Sequence, residues 1–96
     1  MTDSTTITVA GITFDNIDYD ANADVLYLHI GEPSDAVSFD ESPEGHHLRF
    51  DANARLVGIT LVGVRQDLEA ARKIVVTLPG PVEIDPGQLQ LLTSAA

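Results

Sequence analysis

Cysteine and tryptophan are absent from this chain of 96 residues. Without cysteine there is no disulfide scaffold, no thiolate zinc site and no cysteine nucleophile. Basic residues are scarce: five Lys and Arg stand against fifteen Asp and Glu, for a formal net charge of −10. A field of that sign repels phosphate backbones and argues against nucleic-acid binding. No apolar run approaches the ~18 residues that a membrane helix needs. The opening Met1-Thr2-Asp3-Ser4 has neither the basic start nor the apolar stretch of a signal peptide, so a soluble cytoplasmic protein is expected. Also missing are Gly-x-Ser-x-Gly, a phosphate loop and a dinucleotide fingerprint. Ser34, Ser38 and Ser42 lie among acids, which would not activate a hydroxyl.

What remains is enough to fold. Apolar residues make up 44% of the chain and mean hydropathy is +0.08, which fits one small domain over residues 1–96. The charge is uneven. Residues 1–48 hold ten acids and no Lys or Arg, whereas residues 49–96 hold five of each sign. The acidic half, Asp15 to Glu44, would attract a basic protein or a cation. Solubility alone is the plainer reading.

The most informative feature is a repeat offset by 31 residues: IDYDANADVLYLHI at 17–30 and LRFDANARLVGITL at 48–61. Each copy reads as a hairpin. Asp20 and Asn22, and then Asp51 and Asn53, have short polar side chains that bond nearby backbone and tolerate left-handed dihedrals. Strands are expected near 12–19, 24–31, 46–51 and 55–64. Period-two alternation places Leu26, Leu28 and Ile30, with Val57, Ile59 and Leu61, on a core face. The other face, carrying Val25, Tyr27, His29, Leu56, Gly58 and Thr60, is mixed and calls for a cover. A second copy of the chain or the C-terminal segment would supply it. Tyr27 and Gly58 are repeat equivalents and form a candidate packing pair. Asp18 matches Arg49 and Asp24 matches Arg55, which would set opposite charges near each other.

Elsewhere, residues 5–14 suit an edge strand or a loose N-terminus. Ala36 to Phe39 suits a short strand, and Asp40 to Gly45 a loop. Asp67 suits the cap of a helix over Leu68–Lys73. A strand is expected over Ile74–Leu78, broken at Pro79-Gly80-Pro81. Asp85-Pro86 then reads as the start of a terminal helix carrying Leu89, Leu91 and Leu92. Residues 79–96 would form a C-terminal arm, open to exchange between subunits. The fold class is therefore mainly β: a small antiparallel sheet built from two similar hairpins, with one or two short helices toward the C-terminus. An α+β arrangement is the alternative.

Two segments together resemble a known family. Tyr19-Asp20-x-x-Ala23-Asp24-Val25-Leu26-Tyr27-Leu28, followed by Phe50-Asp51-x-x-x-x-Leu56-Val57-Gly58-Ile59, is similar to the bacterial domain of unknown function 2283 over about residues 17–64. Ala54 stands where that pattern usually has a turn glycine, and Thr60 where an acid often follows. The resemblance carries no catalytic residues. It implies a candidate antitoxin, because some members resemble proteins encoded beside toxin-like ribonuclease relatives.

Three constellations bear on chemistry. Asp18, Asp20, Asn22 and Asp24 alternate like a calcium loop, but Ala23 replaces the sixth-position glycine and His29 the twelfth-position Glu. Ordinary turn chemistry is the expected reading. His46 and His47 point to opposite faces of a strand and cannot chelate together without a bend; both are expected at the surface. His29 is expected half-buried in the sheet with one hydrogen bond. No residue is assigned a catalytic, cofactor-binding or metal-ligating role. The expected function is a non-enzymatic, acidic interaction module that forms a homodimer and takes a basic, toxin-like partner. One rival is a metal- or ligand-binding protein, or an enzyme, using Tyr27, His29 and His46 or His47. Another is a structural oligomer without a ligand.

Overall fold

The computed structural model describes residues 6–31, 36–77 and 80–94. The expectations at Met1–Ser4, Thr5, Ser34, Leu78 and Pro79 lie outside the described residues.

Two hairpins of the repeat make the centre of a five-stranded antiparallel sheet. The first pairs β3 (Asn16–Asp20) with β4 (Val25–His29), and the second pairs β6 (His47–Phe50) with β7 (Leu56–Val62). With β5 (Ser38–Glu41) at one edge, the order is β3-β4-β7-β6-β5. Strands β4 and β7 are neighbours, and Leu28 faces its own repeat equivalent, Ile59. A pseudo-twofold axis therefore passes through the Leu28–Ile59 pair. It relates Tyr27 opposite Thr60 to Gly58 opposite His29.

The turns of the repeat close on their aspartates. Asp20 Oδ1 accepts the amides of Asn22 and Ala23, at 3.1 and 3.2 Å. Asp51 Oδ1 accepts those of Asn53 and Arg55, at 2.8 and 3.0 Å. The copies then diverge. The left-handed residue is Asp24 (φ 56) in the first turn and Ala54 (φ 62) in the second. A β-bulge follows between β6 and β7, where Arg49 faces Gly58 but Phe50 faces Leu56. Val57 is the extra residue. It is half-buried, as is Ile30, whereas Leu26, Leu28, Ile59 and Leu61 are fully buried.

The N-terminal segment is not an edge strand of this sheet. It forms a separate hairpin of β1 (Ile7–Val9) and β2 (Ile12–Phe14). Ala10 and Gly11 both have positive φ (54° and 80°), the requirement of a two-residue turn whose twist suits a hairpin. Residues 12–20 thus pass from one sheet to the other instead of forming one strand. The short strand near 36–39 is β5, two residues later than expected, and Asp40 and Glu41 belong to it, not to a loop. The first helix, α1 (Val64–Glu69), starts after Gly63 and not after Asp67, which lies in its first turn. Its amides are capped from elsewhere, as described below. A third hairpin joins β8 (Val75–Thr77) to β9 (Pro81–Glu83). Pro81 opens a strand, where its missing N–H is tolerated. The last helix, α2 (Pro86–Ser94), begins as expected, with Gly87 N–H on Asp85 Oδ1 at 2.9 Å.

One core joins these pieces. Ile7, Val9 and Phe14 from the first hairpin, Val64 from α1, Ile74, Val76 and Ile84 from the third hairpin and its flanks, and Leu89 from α2 pack with Leu26, Leu28, Ile59 and Leu61. The C-terminal segment therefore covers the core face of its own sheet, not the mixed face.

Candidate functional site

Among the described residues, the mixed face is left open. Reading across the register, one row carries Asn16, His29, Gly58 and Arg49, and the next carries Asp18, Tyr27, Thr60 and His47. Exposed Tyr27, Val62 and Phe39 are spread over the face, with Val25 half-buried beside Val62. Phe39 faces Arg49 across β5 and β6, and the Arg49 guanidinium lies 5.7 Å from its ring centroid.

The acids divide between the two edges. Asp18 and Asp20 are on β3, and Asp40 and Glu41 on β5, while the central strands β4 and β7 contain none. Four strand spacings, roughly 19 Å, separate those edges. The acids of the sheet's strands thus form two rims, not one patch. Charged edges also discourage edge-to-edge pairing of sheets.

A cleft of about 340 Å³ lies on this face, lined by Asn16, Asp18, Tyr27, His29, Arg49 and Thr60 with Leu28 below. Gly58 shapes its floor. A Cβ there would lie 2.8 Å from His29 Cδ2 and 3.2 Å from Arg49 Cβ. The imidazole and the arginine stem lean into the space that a side chain at 58 would fill. Gly58 therefore packs with His29, not with Tyr27 as repeat equivalence suggests, because the antiparallel pairing sets it opposite His29. His29 is buried more deeply than expected, at 5% exposure. Its Nδ1 is 2.9 Å from the Ile30 carbonyl, which can only accept. Its Nε2 is buried without a partner among the described residues.

His46 corrects another expectation. The turn Ser42 to Gly45, with Gly45 at φ 90°, swings it inward instead of leaving it at the surface. Its Nδ1 accepts the Val62 amide at 3.2 Å. Burial lowers its pKa, against the raising effects of Glu44, Asp67 and a hydrogen bond to the Val75 backbone. His47 is exposed on the open face. The three histidines do not converge. Among the described residues, no three of His, Asp and Glu come together to hold a metal ion.

Asp24 occupies a site that spacing could not suggest. Its Oδ1 accepts the Arg65 amide at 2.8 Å and its Oδ2 the Gln66 amide at 3.0 Å, capping α1. The Tyr19 hydroxyl donates to Oδ1 at 2.7 Å. Arg65 lies over the Tyr19 ring, 5.3 Å from its centroid, and reaches the Thr93 carbonyl of α2. Burial, then the bond to Asp24, raises the Tyr19 pKa. Asp24 is committed to this clamp, and Arg55, its repeat equivalent, sits exposed at the other turn. A second cleft, of about 440 Å³, lies at the core-face edge between Ile12, Leu48, Phe50 and Leu56. It has no unpaired buried polar atom among the described residues.

Residues 16–65 match the family described as a protein of unknown function (DUF2283). The chain belongs to that family. The DUF2283 segment begins at the first residue of β3 and ends at Arg65, so it holds the whole five-stranded sheet and the helix start that Asp24 caps. The pieces that cover the core face of the DUF2283 sheet, β1–β2, β8–β9 and α2, lie outside it. No curated protein and no solved structure matches the chain. Among the described residues, no helix is long and apolar enough to cross a membrane.

Proposed function

We propose that this protein is a non-enzymatic interaction module that takes a basic protein partner, a toxin-like protein being one such, across the open face of its sheet. One observation carries this reading. The face left uncovered by the described residues exposes Tyr27, Phe39 and Val62 and is bordered on both edges by carboxylates, Asp18 and Asp20 on one side and Glu41 on the other. An apolar interior with a charged border is the anatomy of an interface. The acids serve mainly to steer encounter, so they act on the rate of association more than on the lifetime of the complex.

The test is kinetic. A partner recovered from the native cell should bind more slowly as salt rises, by roughly tenfold or more across the accessible range. Tyr27→Arg should abolish binding while leaving the fold intact by circular dichroism. An association rate indifferent to salt, or a complex indifferent to Tyr27→Arg, would overturn the reading. Recovery of the chain itself as sole partner would assign the open face to a homodimer instead.

A further inference from the structure

We propose that the cleft beside Gly58 binds a small zwitterion, a free amino acid, with its carboxylate on Arg49 and its ammonium on His29 Nε2 and Asp18. Three groups with polar capacity to spare line the cleft. Arg49 is a cation in a chain with fifteen acids, yet it makes no ion pair among the described residues, and its guanidinium lies over the Phe39 ring. Its planar fork of N–H donors matches a carboxylate. Asp18 lines the same cleft, and among the described residues neither a hydrogen bond nor an ion pair engages its carboxylate. His29 Nε2 is the one buried side-chain polar atom without a partner among the described residues. Because Nδ1 donates to the Ile30 carbonyl, Nε2 of the neutral ring carries the lone pair and must receive a hydrogen from outside. Native proteins rarely leave such an atom unmet.

The donor set defines the ligand class. Arg49 asks for an anion, Asp18 for a cation, and His29 for an N–H or O–H donor between them. A simple anion would be repelled by the net charge of −10; a zwitterion carries no net charge and would not be. The cleft volume, about 340 Å³, is at the small end for ligand pockets, which suits one amino acid. The Arg49 stem and the His29 ring both lie against Gly58, and binding requires side-chain movement that uncovers the buried Nε2. This site shares Asp18 and Tyr27 with the protein-partner reading, but its test does not: free amino acids are titrated with no basic partner present, so either reading can fail alone.

The experiment is a titration of the isotope-labelled full chain with each free amino acid, followed by the amide signals of Gly58 and Thr60 and the ring signals of His29. At least one amino acid should give saturable shifts at these positions at millimolar concentration. Its N-acetyl derivative and its carboxamide, each lacking one charge, should bind at least roughly tenfold more weakly. Arg49→Gln and Asp18→Asn should each weaken binding to a similar degree, with folding verified by the undisturbed core signals of Leu26 and Leu61. Absence of any saturable shift, or equal binding of the charge-blocked derivatives, would overturn the proposal.

Discussion

The Asp24 carboxylate caps α1 through the Arg65 amide, 2.8 Å away in space and 41 positions along the chain. The helix has Gly63 at its N-cap and so no side chain of its own for the task. Replacing Asp24 with Ala should cost about 1–2 kcal/mol, the usual value of a lost cap, and Asp24→Asn should recover part of it. Chemical denaturation measures both. Burial would raise the Asp24 pKa, but the Arg65 and Gln66 amides, the Tyr19 hydroxyl and the Arg65 charge outweigh it and hold it below the ordinary 3.8. A depressed carboxyl stabilises above its unfolded value and loses that contribution as pH falls through the folded one. The denaturation midpoint of the wild type should therefore fall more steeply below about pH 4 than that of Asp24→Asn.

His46 makes a second pH prediction. Burial sets its folded pKa below the ordinary 6.5, so the unfolded chain takes up the proton first. Its contribution is complete above 6.5 and is lost as pH falls from there through the folded value. Stability should decline over that window in the wild type. His46→Gln, which does not titrate, should decline less. A histidine titration by NMR should place His46 below the ordinary value.

Gly58→Ala should destabilise the fold by about 1–3 kcal/mol, the usual cost of overpacking. The new methyl would collide with His29 Cδ2 at 2.8 Å and press on Arg49 Cβ at 3.2 Å. The histidine can move and the arginine Cβ cannot, so His29→Ala in the same molecule should restore part of the loss. A double-mutant cycle measures that coupling. Additive effects would mean that Gly58 serves the backbone instead of the imidazole.

Ala54 is an alanine in a left-handed conformation (φ 62). Ala54→Gly should stabilise by about 0.5–1 kcal/mol, because relief of the left-handed strain exceeds the entropy that glycine adds to the unfolded chain. The same change at its repeat equivalent, Ala23, should bring no gain, since Asp24 is the left-handed residue of that turn. Equal responses at the two positions would refute the asymmetry between the turns.

Much of the fold is legible residue by residue where the physics is local. Asp20 and Asp51 bond amides two to four residues away, so their turns can be read from the sequence alone. The alternation of Leu26 and Leu28, and of Ile59 and Leu61, marks a buried face without knowledge of the partner strand. Asp85-Pro86 announces α2 for the same reason. Long-range geometry was not legible. The side chain opposite Gly58, the hydrogen-bond partner of the His46 imidazole and the cap of α1 each depend on a residue far off in the chain: His29, Val62 and Asp24. Of the candidate site, Tyr27 and His29 could be named from alternation. Arg49 could not be joined to them until β6 and β7 were paired with the bulge in place.

The sequence by itself determined the duplicated turn, the faces of its strands, the shortage of cations and the family. These are properties of composition and of neighbours within a few positions. Tertiary structure alone decided that the pseudo-twofold falls on Leu28 and Ile59, that the C-terminal pieces cover the core face, and that Tyr27 stays exposed on the mixed face while His29 is buried. The β4–β7 pairing joins segments about thirty residues apart, and its register is settled by which arrangement buries the most apolar surface while satisfying the backbone.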